Sequence, residues 1–152
     1  MMLFFSMKIY SFFGSSGSGK TTLIYDLISR FSDKYKIVYI KNIHDNISLD
    51  FNGKDTWRME SAGAYITYGL TPTRTYRMER KRYDIKNIIN DGDIVFIEGF
   101  RDYRDSTRFL LLGDAEYKKY GYDFIINTTN REFMDGIKYP EEIDKIIEII
   151  GI

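Results

Sequence analysis

A single α/β domain over residues 1–152, with a mostly parallel sheet and helices on both of its faces, is what this sequence predicts. Three observations carry that expectation. Short apolar runs of strand character alternate with stripes of helical period along the chain. A glycine-rich loop, Gly14 to Thr21, joins the first such strand directly to the first helix. The composition, 43% hydrophobic and 29% charged, is ordinary globular usage and excludes intrinsic disorder.

The first strand, residues 8–13, is an aromatic-rich apolar run ended by Gly14. Ile24, Leu27, Ile28 and Phe31 fall at i, i+3, i+4 and i+7, which predicts a helix over about residues 21–32. Residues 35–40 are the second strand, and the polar stretch 42–56 reads as a long loop. A short helix over 57–64 comes next, then two β-prone runs, 65–68 and 73–78, around the turn Gly69-Leu70-Thr71-Pro72. Ile85, Ile88 and Ile89 predict a short amphipathic helix ended by Asn90-Asp91-Gly92. Residues 93–97 are the most apolar strand, with Glu98-Gly99 directly behind it; 108–112 and 123–127 are two more. The last helix has Pro140 in its first turn, Glu141 and Glu142 at its positive end, and one stripe of Ile143, Ile146, Ile147 and Ile150.

Charge and cysteine content narrow the chemistry. Lys plus Arg and Asp plus Glu number 22 each, so no global basicity recommends nucleic acid or an anionic membrane as a partner. With no cysteine, a disulfide scaffold, an iron–sulfur cluster, a thiolate zinc site and a thiol nucleophile are all excluded. Residues 1–7 form an apolar tail too short to span a bilayer and without the marks of a signal peptide, so the expected location is the cytoplasm.

The loop Gly14-Ser15-Ser16-Gly17-Ser18-Gly19-Lys20-Thr21 matches G-x-x-x-x-G-K-[ST], the pattern of P-loop NTPases. Glycines let successive backbone N–H groups converge on a phosphate, and the helix N-terminus behind them adds partial positive charge. Gly14, Ser15, Gly17, Ser18, Gly19, Lys20, Thr21 and Thr22 are therefore the expected nucleotide contacts, with Lys20 reaching the β- and γ-phosphates. Thr21 and Glu98 are the expected Mg2+ partners, because a carboxylate that ends a buried strand stands at the same sheet edge as the loop. Residue chemistry alone says only nucleoside triphosphate. Asn127-Thr128-Thr129-Asn130 sits where a base-reading loop belongs, without the Lys and Asp that strong guanine reading needs.

Further residues match a more specific pattern. After the second strand come Asp50, Gly53-Lys54-Asp55-Thr56-Trp57-Arg58 and Ala62-Gly63-Ala64, and the apolar strand is followed by Gly99-Phe100-Arg101. Over about residues 8–112 the chain resembles the molybdopterin-guanine dinucleotide biosynthesis protein B (MobB) family. That resemblance implies a GTP-binding, slowly GTP-hydrolysing homodimer. It would serve as an adaptor for the guanylyltransferase that attaches GMP to molybdopterin, with molybdopterin a further ligand.

Beside the resemblance, Lys41, Lys54, Arg58 and Arg101 are expected near the carboxyl edge of the sheet, facing polyphosphate or an anionic pterin. Lys20, Glu98 and Asp50 are the expected catalytic residues, with Asp50 and Asp55 holding metal-bound or attacking water. The plainer alternative for Lys54, Asp55 and Arg58 is that they cap and pair at a helix start. Trp57 reads as a packing anchor and His44 as a loop residue. The competing function is a small-molecule or nucleotide kinase, with Arg74, Arg77, Arg80, Lys81 and Arg82 as a lid; the alternative for that cluster is a solvated strand end.

Overall fold

The computed structural model describes residues 8–113, 115–129 and 135–152. They form strands β1 (Lys8–Phe13), β2 (Ile37–Lys41), β3 (Ile66–Leu70), β4 (Thr75–Glu79), β5 (Ile94–Glu98), β6 (Thr107–Leu111), β7 (Phe124–Asn127) and β8 (Ile137–Lys138). The helices are α1 (Lys20–Phe31), α2 (Asp55–Ala62), α3 (Ala115–Lys118) and α4 (Ile143–Ile150). Contacts divide the chain into two compact units: one runs to Asn42 and resumes at Ile89, the other is Ile43–Ile88.

The first unit carries a six-stranded sheet in the order β2-β5-β1-β6-β7-β8, every neighbouring pair parallel. β1 lies between β5 and β6, so chain order reverses beside it, and the crevice past the carboxyl end of such a strand is where α/β sheets bind ligands. Register sets Phe12 against Glu98 on one side and Phe13 against Leu110 on the other. Lys41 pairs with Glu98 from β2.

Alternation along the strands builds two apolar faces. On one, Tyr10, Phe12, Phe96, Phe109, Leu111 and Ile126 pack with Leu23, Ile24, Leu27 and Phe31 of α1 and with Ile146 and Ile150 of α4. Phe12 stacks on Phe109 at 5.0 Å and meets Phe96 edge-on at 5.9 Å. Burial of each such ring stabilises the fold by about 1.5–3 kcal/mol. The Tyr10 hydroxyl donates to the Ile150 carbonyl at 2.7 Å, tying α4 to the sheet. On the other face, Phe13, Val95, Ile97 and Leu110 are buried, and the Arg108 guanidinium lies 4.7 Å from the Phe13 ring. Arg108 donates to the carbonyls of Arg101, Tyr103 and Gly121, which holds the segment after Glu98 against this face.

In the second unit, β3 and β4 form an antiparallel hairpin with Tyr68 opposite Arg77, and the Thr56 methyl of α2 lies against Gly69. α2 has no fully buried residue, and Trp57 is half-buried.

Two expectations require correction. The helix expected around Ile85–Ile89 is instead two single 3₁₀ turns, Ile85–Asn87 and Ile89–Asp91. The Asp84 carboxylate caps the first turn by accepting from the Lys86 N–H, but the stretch before Gly92 is too short to repay helix nucleation. Pro140 is not in the first turn of α4: it follows a cis Tyr139–Pro140 bond, and the helix starts at Ile143. Glu142 folds back to accept from the Lys138 N–H at 2.8 Å and from Lys145 Nζ at 2.6 Å.

Candidate phosphate-binding site

β1 delivers the chain to Gly14 at φ 147°, where a Cβ would stand 2.7 Å from the Leu111 carbonyl oxygen. No side chain fits there, because the loop turns hard against the end of β6. Gly17 and Gly19 also have positive φ, 74° and 89°, and Gly19 starts α1 without a side-chain cap. The first turn of α1 has no acidic residue. A helix start with neither a capping side chain nor a carboxylate leaves its N–H groups and partial charge for an external anion.

Lys20 folds back over the loop. Its ammonium donates to the carbonyls of Gly14 at 3.0 Å and Ser15 at 2.6 Å, and to the Ser18 hydroxyl at 3.2 Å. Burial pulls its pKa below the ordinary lysine value, with Glu98 opposing that shift and Lys41 adding to it. Ser18 is buried, and Thr22 is exposed in the first turn of α1.

Glu98 is buried at the carboxyl end of β5. Its Oε1 accepts from the Thr21 hydroxyl at 2.7 Å, and Lys41 Nζ lies 3.7 Å from the same oxygen. Its Oε2 accepts from the Tyr39 hydroxyl, whose pKa is pushed well up, first by burial and then by the bond to Glu98. The backbone is fixed on both sides: the Gly99 N–H donates to Phe12 and the Asn42 N–H to Glu98. Among the described residues no group of three or more His, Asp or Glu forms a metal cage. Thr21 with Glu98 nevertheless fits Mg2+, which takes one or two protein ligands and completes its shell with phosphate oxygens and water.

The loop after β7 closes the other side. The Thr128 hydroxyl donates to the Ser18 carbonyl at 2.7 Å, and its methyl lies 3.4 Å from where a Cβ on Gly19 would be. Asn127 is buried, its Oδ1 accepting from the N–H and the hydroxyl of Thr129. Asn130 lies outside the described residues. Arg101 is turned to the Tyr120 ring, 4.9 Å from its centre.

The first unit thus brings together Gly14 to Thr22, Lys41 and Glu98. In the second unit, the Asp50 carboxylate accepts from the Thr56 hydroxyl at 2.6 Å and the Phe51 N–H at 2.8 Å, so it organises the turn into α2. Lys54 is the residue before α2 and is exposed; Arg58 and Asp55 pair at 3.7 Å in the exposed first turn. His44 is exposed. Arg77 pairs with Glu79 at 2.8 Å, and Arg80 donates to the Glu60 carbonyl. Tyr39 is missed by sequence reasoning, its one signal being position two residues before Lys41 on one strand face. Thr128, expected only as part of a base-reading loop, bonds the phosphate loop.

A parallel sheet whose first strand runs through a glycine-rich turn into a helix, with an acid at the neighbouring strand end, defines a P-loop NTPase-like α/β protein. Its likeness to solved structures agrees: Bacillus subtilis MobB superposes with a TM-score of 0.73 at 21% identity, over 93% of this chain and 97% of that one. A MobB homologue from Bacillus stearothermophilus gives 0.66 at 14% identity, over 95% and 98%. The chain belongs to the MobB family, Molybdopterin guanine dinucleotide synthesis protein B, whose model matches residues 9–109. A Methanocaldococcus jannaschii protein, provisionally named a molybdopterin-guanine dinucleotide biosynthesis adapter, is 33% identical over 95% of this chain. The Haemophilus influenzae molybdopterin-guanine dinucleotide biosynthesis adapter protein is 46% identical over 34% of it. The chain spans 61% of the length of the archaeal relative and 29% of that from Haemophilus. Among the described residues no helix is long and apolar enough to cross a membrane.

Proposed function

We propose that this protein is a nucleotide-binding adapter of molybdopterin-guanine dinucleotide biosynthesis, taking GTP with Mg2+ and hydrolysing it slowly. The observation that carries the nucleotide reading is the uncapped α1 start, with Lys20 folded over its loop and Thr21 bonded to Glu98. Gly14, Ser15, Gly17, Ser18, Gly19 and Thr22 would wrap the phosphates, and Lys20 would exchange its loop oxygens for phosphate oxygens. Thr21 and Glu98 would hold Mg2+, which would supply charge neutralisation on the phosphates. The choice of GTP rests on the family. Asp50, Lys54 and Arg58 enter as residues of the family pattern acting on water or phosphate.

The adapter role rests on the names of the relatives and on a surface feature. Within 43–88, Ile47, Leu49, Phe51, Met59 and Leu70 are all more than half exposed, the sort of apolar area that a partner covers. The partners we assign are the molybdenum cofactor guanylyltransferase and a second copy of the chain, with molybdopterin as a further ligand, in the cytoplasm. Calorimetric titration with GTP and ATP, with and without Mg2+, tests the nucleotide reading. A Mg2+-dependent preference for GTP supports it. Equal affinity, or a preference for ATP, transfers support to a kinase.

A further inference from the structure

We infer that Tyr39 is a positioning residue for Glu98, holding its carboxylate in the orientation that Thr21 and Mg2+ require; this rests on the nucleotide reading above. Tyr39 lies on β2 with Lys41 two residues further on, and register places Tyr39 beside Phe96 and Lys41 beside Glu98. The side chains of Tyr39, Lys41 and Glu98 therefore leave the same side of the sheet, the side on which α1 delivers Thr21. The Tyr39 ring is 43% exposed, so packing alone does not account for it, yet its hydroxyl reaches inward to a carboxylate that is 5% exposed.

The two oxygens of Glu98 are thereby distinguished. Oε1 receives Thr21 and faces Lys41; Oε2 receives Tyr39. A glutamate ends in a broad, soft torsion, so one donor leaves the carboxylate plane free to turn. Two donors on opposite oxygens fix it. In the nucleotide complex Thr21 has to serve the metal, and Tyr39 is then the contact that keeps Glu98 from swinging toward Lys41. Only the hydroxyl matters to this role, since a phenyl ring fills the same space.

Tyr39→Phe is the test, read by Mg2+ titration of nucleotide binding in calorimetry. The variant is expected to bind GTP without Mg2+ as the native protein does, and to need about tenfold more Mg2+ for the same gain in affinity, the size of a lost bond to a charged group. Its thermal unfolding should fall by no more than one such bond is worth and stay cooperative, which separates positioning from misfolding. An unchanged Mg2+ requirement in a variant that binds GTP normally overturns the role of Tyr39. Failure of the native protein to bind any nucleotide overturns the underlying reading instead, and the inference with it.

Discussion

Gly14→Ala probes the closest approach in the phosphate loop. The added Cβ would stand 2.7 Å from the Leu111 carbonyl oxygen and 3.3 Å from Ser18 Oγ, where contacts under 3.0 Å essentially do not occur. The first neighbour is strand backbone and cannot step aside, so β1 and β6 must separate at their carboxyl ends. Overpacking of this kind costs about 1–3 kcal/mol, and a glycine-only backbone angle adds about 1–3 kcal/mol. The expected loss is roughly 2–6 kcal/mol, a large part of the stability of an ordinary domain. Gly17→Ala is the matched control: its φ is 74°, but nothing lies within 4 Å of the new Cβ. It should cost only about 1–2 kcal/mol of left-handed strain. Urea unfolding of both variants separates the two contributions, and GTP calorimetry follows the site. Equal unfolding midpoints for the two variants would refute the close-approach argument.

Lys20→Ala should abolish measurable nucleotide binding while the circular dichroism spectrum persists; retained affinity would remove Lys20 from the site. Glu98→Gln should depress Mg2+-dependent GTP hydrolysis more than GTP binding, and unaltered turnover would take Glu98 out of the mechanism. Arg108→Ala strips the donor from three carbonyls and should lower stability by about 2–4 kcal/mol, with faster hydrogen exchange over 101–106; unchanged exchange refutes the staple. Because the Lys20 pKa is lowered by burial, the unfolded chain keeps that proton at alkaline pH where the folded chain has lost it. Between the two pKa values the Lys20 contribution to stability rises with pH, while GTP affinity falls as the ammonium deprotonates, giving buffer-dependent binding enthalpies.

Much of the first unit was legible because its signals are local. The pattern from Gly14 to Thr21 states its own chemistry, and the apolar run before Glu98 can only be a buried strand with an acid at its end. Both stand where the sequence places them, the loop between β1 and α1 and the acid at the end of β5, with the Thr21 hydroxyl donating to Glu98. Asp93, just ahead of β5, accepts from the N–H of Lys36, the residue before β2. Tyr39 was hidden because periodicity reports which face a residue takes, not what its hydroxyl reaches across a strand. α3 and β8, four and two residues long, are below the length at which a periodic signal exists. Pro140 carried the right composition for a first turn but sits ahead of the helix, where Glu142 turns back to Lys138. The role expected of Asp50 came from the chemistry of its loop residues; its contacts organise the turn in which it sits.

Lys20 is already immobilised by its own loop, which under the nucleotide reading proposed above would govern how fast the ligand is captured. A lysine drawn from solvent would surrender rotational freedom at the moment of binding, about 0.5–1.5 kcal/mol for an immobilised side chain. Here folding has met that cost beforehand, and in the proposed complex a phosphate would only trade places with two carbonyls and a hydroxyl. Association should then be a single kinetic phase, linear in nucleotide concentration, without the plateau that a slow ordering step imposes.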